Sequence, residues 1–211
     1  MAVPLDVIRA FHNAFRKDLK EIDLAAYSAA RGQSGLDFVQ KRYIIFNQVL
    51  VWHASGEEQF VFPAVEKVVP SVAEAYARDH RGLDTSFDRL DEAVKAEDPL
   101  DIARATGSFN FFSTFHLNKE DAHLYRIFNE RVSLPDQWAI IGKMSQVPPR
   151  DRVPDVINWL FPLLGNDDRE NMVRVFRQIM PETVVTETLR LVKLAVGDGW
   201  SELVQRIPEI K

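Results

Sequence analysis

Apolar residues recur at three- and four-residue intervals through four long segments of this 211-residue chain. That spacing is the period of an α-helix, whereas a strand would alternate apolar and polar residues. In each segment a histidine occupies one position of the apolar stripe, where the pattern reserves a core residue. The four histidines are His12, His53, His80 and His116. The sequence therefore predicts an all-α protein whose helices bury imidazoles together with their apolar faces.

Two of these histidines are followed four residues later by a glutamate, in "HASGE" and "HLNKE". Residues i and i+4 share one face of a helix, so Glu57 is expected beside His53 and Glu120 beside His116. The histidines also lie symmetrically about the turns. The first pair is centred on "RGQSG" and the last pair on "AEDPL", while the middle pair fits its loop less closely. This symmetry predicts an up-down antiparallel four-helix bundle with the histidines at one level, pointing inward.

A lone histidine on an apolar face is usually a core residue with a hydrogen-bond partner. Four histidines and two glutamates at one level would instead form a costly buried cluster unless a cation compensated it. The chain has no cysteine, which excludes thiolate ligands, disulfides and thiol catalysis. Imidazole and carboxylate then remain as ligands. The pattern predicts a metal site, and the alternative is a hydrogen-bonded polar core without metal. The predicted ligands are His12, His53, Glu57, His80, His116 and Glu120.

Four further ionisable residues lie close to this pattern. Glu58 falls off the stripe and is interpreted as a solvated charge or an outer partner of a ligand. Asp84 borders the stripe as a ligand, an outer hydrogen-bond acceptor or a merely polar residue, and the acceptor role is favoured. Asp121 lies about 140° around the helix from the preceding histidine, so Glu120 is expected to be the inward carboxylate. His123 follows one turn later on the same face and is a candidate fifth imidazole ligand.

Together these residues resemble the hemerythrin-like (HHE cation-binding) domain. The resemblance covers about residues 5 to 131, and "HASGEEQFVFP" is similar to the second-helix signature of that family, including its proline. It implies a four-helix bundle holding two iron ions bridged by two carboxylates and an oxo or hydroxo group. It further implies that Glu57 and Glu120 bridge, that His12 and His53 bind one iron, and that His80 and His116 bind the other.

The chain departs from the oxygen-carrying hemerythrins at two positions. Those proteins have a second histidine where this chain has Asp84. Their fourth-helix motif ends with an aspartate, and at that point this chain offers both Glu120 and Asp121. His123 would replace the missing imidazole. The departures argue against reversible oxygen carriage. A ferritin-like di-iron bundle would need Glu-x-x-His on two helices, and here only Glu120-x-x-His123 fits.

After "NERVSLP" prolines become frequent and the helical stripes become short. We therefore expect two domains, a metal-binding bundle over residues 1–132 and a C-terminal helical appendage over 133–211. Packing of the appendage on the bundle is favoured over a separate partner-binding module. The expected C-terminal helices cover about 136–145, 152–164, 167–179, 182–195 and 199–206.

The net charge is −5 and the chain has no basic stripe, so nucleic acid is not an expected partner. No apolar run approaches the roughly 18 residues of a membrane-spanning helix, and the N-terminus lacks the layout of a signal peptide. The expected location is cytoplasmic. By resemblance, the expected function is a non-haem di-iron protein that binds or reacts with dioxygen, peroxide or nitric oxide, and any enzymatic activity would be peroxide- or nitric-oxide-reactive. The alternative is an iron or oxygen sensor whose C-terminal helices contact a partner.

Overall fold

A computed structural model of the protein describes residues 2–211, and across that range it is helical with no strand. The all-α prediction is confirmed. The α-helices are α1 (Leu5–Ala30), α2 (Asp37–Gly56), α3 (Phe62–Val68), α4 (Ala73–Ala96), α5 (Pro99–Lys119), α6 (Tyr125–Arg131), α7 (Leu134–Met144), α8 (Val153–Leu163), α9 (Asn166–Ile179), α10 (Glu182–Val196) and α11 (Trp200–Arg206). Two π-helical turns, Glu57–Val61 and Glu120–Leu124, join α2 to α3 and α5 to α6. Short 3-10 turns cover Arg150–Arg152, Gly197–Gly199 and Pro208–Ile210.

The chain divides into two compact units. The central unit is Phe15–Val132, and the terminal unit combines the residues up to Ala14 with Ser133–Lys211. Helix α1 begins in the terminal unit and continues without a break into the central unit. The expected division into domains 1–132 and 133–211 remains a prediction. None of the helices described is both long and apolar enough to cross a bilayer.

Aromatic rings connect the four long helices of the central unit. Phe15 of α1 packs edge to face on Phe46 of α2 at 5.7 Å between ring centroids, and Phe46 packs on Phe109 of α5 at 6.2 Å. Tyr43 of α2 stacks on Phe87 of α4 at 5.4 Å, and Phe87 contacts Phe109 at 5.7 Å. These offset and edge-to-face geometries are the favoured ones for aromatic pairs. They form an apolar layer shared by α1, α2, α4 and α5.

The turn between α4 and α5 is built from local signals. Glu97 closes α4 in the left-handed conformation, with φ 57°. The Asp98 side chain then accepts hydrogen bonds from the backbone N–H groups of Leu100 and Asp101, and Pro99 occupies the first turn of α5. An aspartate cap followed by proline is a favoured helix start. The short turn makes α4 and α5 antiparallel neighbours.

In the terminal unit, the large apolar side chains of the C-terminal helices are buried. Trp159 and Phe161 of α8 are 2% and 0% exposed. Phe11 contacts the Trp159 ring at 6.5 Å between centroids, and Phe161 packs on Phe176 of α9 at 6.2 Å. The Arg169 Nε–H donates to the carbonyl oxygen of Phe161, near the end of α8. The terminal unit therefore has an apolar core of its own.

Candidate metal centre

The structure brings six buried side chains together as two groups of three. Within each group, one potential ligand atom from every residue lies within 4.8 Å of the others. His12 lies on the unbroken helix α1, and the other five residues belong to the central unit. The first group is His12, His53 and Glu57, and the second is His80, His116 and Glu120. These six residues are the ones that the helical pattern selects, and all are buried.

Glu57 lies where it can serve both groups. Its Oε1 is 3.1 Å from His53 Nε2, in its own group, and its Oε2 is 3.6 Å from His80 Nε2, in the other. Glu120 has a different setting, because its Oε1 is 3.3 Å from His116 Nε2 and 3.7 Å from His80 Nε2. His80 therefore lies between the two carboxylates. The two oxygens of Glu57 point to separate groups, as a bridging carboxylate requires.

The protonation of the second group is set by its own contacts. Burial and the charge of Glu57 oppose ionisation of Glu120, but its close contacts with His116 and His80 outweigh both and lower the Glu120 pKa. Burial by itself would lower the pKa of His80, yet its contacts with Glu120, Glu57 and Glu58 raise that pKa to about 9. Without metal, the cluster thus holds an imidazolium between carboxylates. A cation bound there would take over the compensating charge.

Each glutamate is the first residue of a π-helical turn. The Phe62 N–H donates to the Glu57 carbonyl, and the Tyr125 N–H donates to the Glu120 carbonyl, each five residues back. π turns inside α-helices are often found at functional sites. Here they place both carboxylates at the point where the helix widens.

The second π turn also accounts for the position of His123. In an α-helix, His123 would share the face of Glu120, but a wider turn rotates the chain less over three residues. The structure leaves His123 exposed and outside both groups. Its Nδ1 is 2.9 Å from the Tyr76 hydroxyl, and the two rings stack at 6.1 Å. The expectation of a fifth imidazole ligand at this position has no geometric support.

Several outer residues hold the candidate ligands in place. The Nδ1 of His80 is 2.8 Å from Glu58 Oε1, which leaves Nε2 facing the two buried carboxylates. Of the two interpretations of Glu58, the structure thus selects the outer partner, although the side chain is half exposed. Histidine ligands commonly have such a carboxylate partner on the nitrogen that does not bind metal. Asp79 Oδ2 is 2.5 Å from Lys119 Nζ and lies 3.8 Å from His116 Nδ1, beyond hydrogen-bond distance.

Tyr125 is a functional candidate that the sequence analysis missed. Its buried hydroxyl donates a hydrogen bond to Glu57 Oε1. Burial, followed by the charges of Glu57 and Glu120, raises the Tyr125 pKa well above its ordinary value, so the hydroxyl keeps its proton. The helical stripe that contains His116, Glu120 and His123 does not include Tyr125, and a partner on another helix leaves no local pattern in the sequence.

The two remaining aspartates lie outside the groups. Asp121 forms an ion pair with Arg16 of α1, in agreement with its predicted orientation away from Glu120. Asp84 is exposed and lines a cavity of about 80 Å³ that reaches the candidate ligands. The Asp84 side chain therefore lies on the approach to the centre and in neither group.

The protein is all-helical, and its two buried His/Glu groups are of the kind that can hold metal through nitrogen and oxygen ligands. No protein-family profile matches the chain, and no solved structure does. The chain is similar to the zinc finger protein BRUTUS of Arabidopsis thaliana, at 23% identity over 185 residues, covering 84% of this chain and 15% of that protein. Two BRUTUS-like zinc finger proteins of the same plant are 24% and 21% identical, each match covering 88% of this chain and 16% or 17% of the relative.

The chain thus spans about a sixth of the length of these relatives. Their names refer to a zinc finger, a site that is held by at least two cysteine thiolates. This sequence contains no cysteine, so it does not itself contain such a finger. The part of this chain that is similar to these relatives carries a candidate metal site of a different kind, built from histidine and glutamate.

Proposed function

We propose that the chain is a hemerythrin-like protein that holds two iron ions in a four-helix bundle. In this proposal α1, α2, α4 and α5 form the bundle, with α3 and α6 continuing α2 and α5. The observation that carries the proposal is the pair of buried His/Glu groups joined through Glu57. The choice of iron follows from the resemblance of the motifs to hemerythrin-like domains.

The residues present fit a pair of cations. Glu57 and Glu120 are 1% and 0% exposed, and two carboxylates buried close together are unfavourable without compensating positive charge. Imidazole and carboxylate suit iron in the absence of thiolates. His12, His53 and Glu57 would hold one ion, and His80, His116 and Glu120 the other, with Glu57 reaching both. His123 is not in the proposed ligand set.

The proposed activity is binding of, or reaction with, a small ligand such as dioxygen, peroxide or nitric oxide. A pair of iron ions supplies a change of oxidation state and an open position for such a ligand. The chain contributes the orientation of the donors, with Glu58 fixing the His80 ring and Tyr125 fixing Glu57. The aromatic layer of Phe15, Phe46 and Phe109 keeps bulk water from one side of the centre.

A second candidate is a sensor in which metal occupancy controls the folding of the chain. It is favoured by the buried charged cluster, since such a cluster destabilises the fold when the cation is absent. It is also favoured by the relatives, in which the similar region is a small part of a much longer protein. In this proposal the C-terminal helices pass the change on to a partner.

The test is the amount of metal bound per chain, determined by elemental analysis of protein expressed with iron and purified without chelator. About two irons per chain would support the proposal. His53→Gln should lose bound iron, whereas His123→Gln, which alters a histidine outside both groups, should retain it. Circular dichroism of both variants separates the candidates, because loss of helicity together with metal favours the sensor. No retained metal, or a single zinc, would contradict the di-iron proposal.

A further inference from the structure

A cavity in the central unit connects the candidate metal centre with the surface. Its inner wall contains five of the six candidate ligands, His53, Glu57, His80, His116 and Glu120. Its outer wall contains Val51, which is 57% exposed, and the exposed Asp84. Since one cavity touches both buried ligands and exposed side chains, it provides a route to the centre between α2 and α4.

The cavity has room for a small guest. Its volume is about 80 Å³. A water molecule occupies about 30 Å³ in the liquid, so the cavity has room for at least two or three molecules of that size. Leu50, Leu83 and Phe87 form its apolar wall. A molecule with two or three heavy atoms fits.

Asn47 supplies a free polar group inside the cavity. Its Oδ1 is buried and has no hydrogen-bond partner among the residues that the structure describes. A buried carbonyl oxygen without a partner is unfavourable, so a guest that donates a hydrogen bond to it is stabilised. Dioxygen and nitric oxide carry no proton to donate. Hydrogen peroxide carries two, so it can donate a hydrogen bond to this oxygen.

Asp84 adds a charge selection at the outer end. Its side chain is exposed and lines the cavity. A carboxylate at the mouth of a passage repels anions and admits neutral molecules. Azide and other small anions are therefore disfavoured on this route. Hydrogen peroxide is neutral near pH 7 and is not repelled.

We propose that Asn47 and Asp84 make this cavity selective for neutral hydrogen peroxide over small anions and over gases that donate no hydrogen bond. The inference rests on the proposed metal centre, because the cavity ends there. It concerns binding and access. Asn47 accepts a hydrogen bond from the guest, and the charge of Asp84 repels anions at the entrance.

The first test replaces Asn47 by leucine, which keeps the size of the side chain and removes the amide. In the iron-loaded, reduced protein, the second-order rate of oxidation by hydrogen peroxide should fall about fivefold to tenfold, as expected for one lost hydrogen bond. The rate with dioxygen should stay unchanged. Asn118→Leu, at an exposed position of α5, is the matched control and should leave both rates unchanged.

The second test replaces Asp84 by asparagine and follows azide binding to the oxidised protein by absorbance. Azide should associate about threefold to tenfold faster with Asp84→Asn than with the unaltered chain. Added salt should accelerate azide association with the unaltered chain and have little effect on the variant, because salt screens the repulsion. Asp88→Asn, one turn further along α4 and exposed, is the control and should behave like the unaltered chain.

The outcomes separate this inference from the function on which it rests. If the protein retains no iron, the proposed function fails and the inference fails with it. If iron is retained but Asn47→Leu slows the peroxide and dioxygen reactions equally, or Asp84→Asn leaves azide binding and its salt dependence unchanged, only the selectivity is overturned. Selective loss of the peroxide rate together with faster azide entry supports it.

Discussion

At the scale of single residues, the candidate centre depends on groups that do not bind metal. Glu57 can reach both groups of donors because its orientation is fixed by a hydrogen bond from Tyr125. His80 presents Nε2 to the carboxylates because Glu58 holds its Nδ1. Such outer partners set the orientation and basicity of metal ligands, and their removal commonly lowers metal affinity.

We therefore expect Tyr125→Phe to weaken metal binding about tenfold to a hundredfold, because Glu57 loses the donor that orients it. The ring and its buried packing are kept, so helicity should remain. Competition with a chelator of known affinity measures the change. Tyr27→Phe removes the hydroxyl of an exposed tyrosine on α1 and is the control. Equal affinity in both variants would show that the Tyr125 hydroxyl does not position Glu57.

A pH dependence of stability should also arise at His80. Its pKa is about 9 in the metal-free fold, compared with 6.5 for an unperturbed imidazole. The imidazole therefore binds its proton more tightly in the folded than in the unfolded chain. Its contribution to the free energy of unfolding is complete below pH 6.5 and is lost as the pH rises through 9. Urea denaturation of metal-free protein at pH 6.5, 8 and 9.5 should show this decline. His80→Gln should show much less of it, and an identical decline in the variant would assign the effect to other groups.

At the scale of the helices, the π turns set the direction of the carboxylates and of everything after them. The turn Glu120–Leu124 carries Tyr125 and Phe128 into the core, where they are 1% and 0% exposed. Because this turn already fits one residue more than an α-helical turn into nearly the same rotation, insertion of one further alanine after Ala122, an exposed residue, would rotate α6 by about 100°. Both aromatic rings would then leave their positions in the core.

For this insertion we expect a loss of at least about 3 kcal/mol in the free energy of unfolding, the usual cost of removing one large aromatic side chain from a core. Metal binding should fall as well, since the Tyr125 hydroxyl no longer reaches Glu57. Urea denaturation and elemental analysis measure the two effects. Ala122→Ser keeps the chain length and should change neither. An insertion variant as stable as the unaltered chain would mean that the extra residue is absorbed without rotation of α6.

The same elements show how far sequence alone can go. The α-helical period locates the long helices and the six buried donors, because burial imposes the pattern directly. It also predicts the C-terminal helices. For example, it predicts a helix over 182–195, and the structure has α10 at Glu182–Val196. It assigns His123 to the ligand face because it assumes an unbroken α-helical period, which the π turn interrupts. Contacts between distant elements, such as that of Tyr125 with Glu57, leave no local pattern to read.

At the scale of the whole molecule, the two units raise the question of what metal does beyond its own site. Five of the six candidate ligands lie in the central unit, and the terminal unit contains the C-terminal helices α7 to α11. A carrier or reactive centre needs only local order around the metal. A sensor needs the metal to change the stability of residues far from it. The relatives, which are about six times longer than the matched region, make this distinction important for any role within a larger protein.

Hydrogen exchange with and without iron can decide between these roles. Ligand binding stabilises the states that bind, by about 4 kcal/mol when free ligand exceeds the dissociation constant a thousandfold. We expect chelation of the metal to increase amide exchange in α2, α4 and α5, because the buried carboxylates then lose their compensating cation. If exchange in α8 to α10 stays unchanged, metal acts locally, as a ligand-binding or reactive centre requires. If those helices open together with the central unit, the sensor is favoured. His53→Gln is the control, since chelator should not alter its exchange, and an unchanged pattern in the unaltered chain would contradict metal-dependent stability altogether.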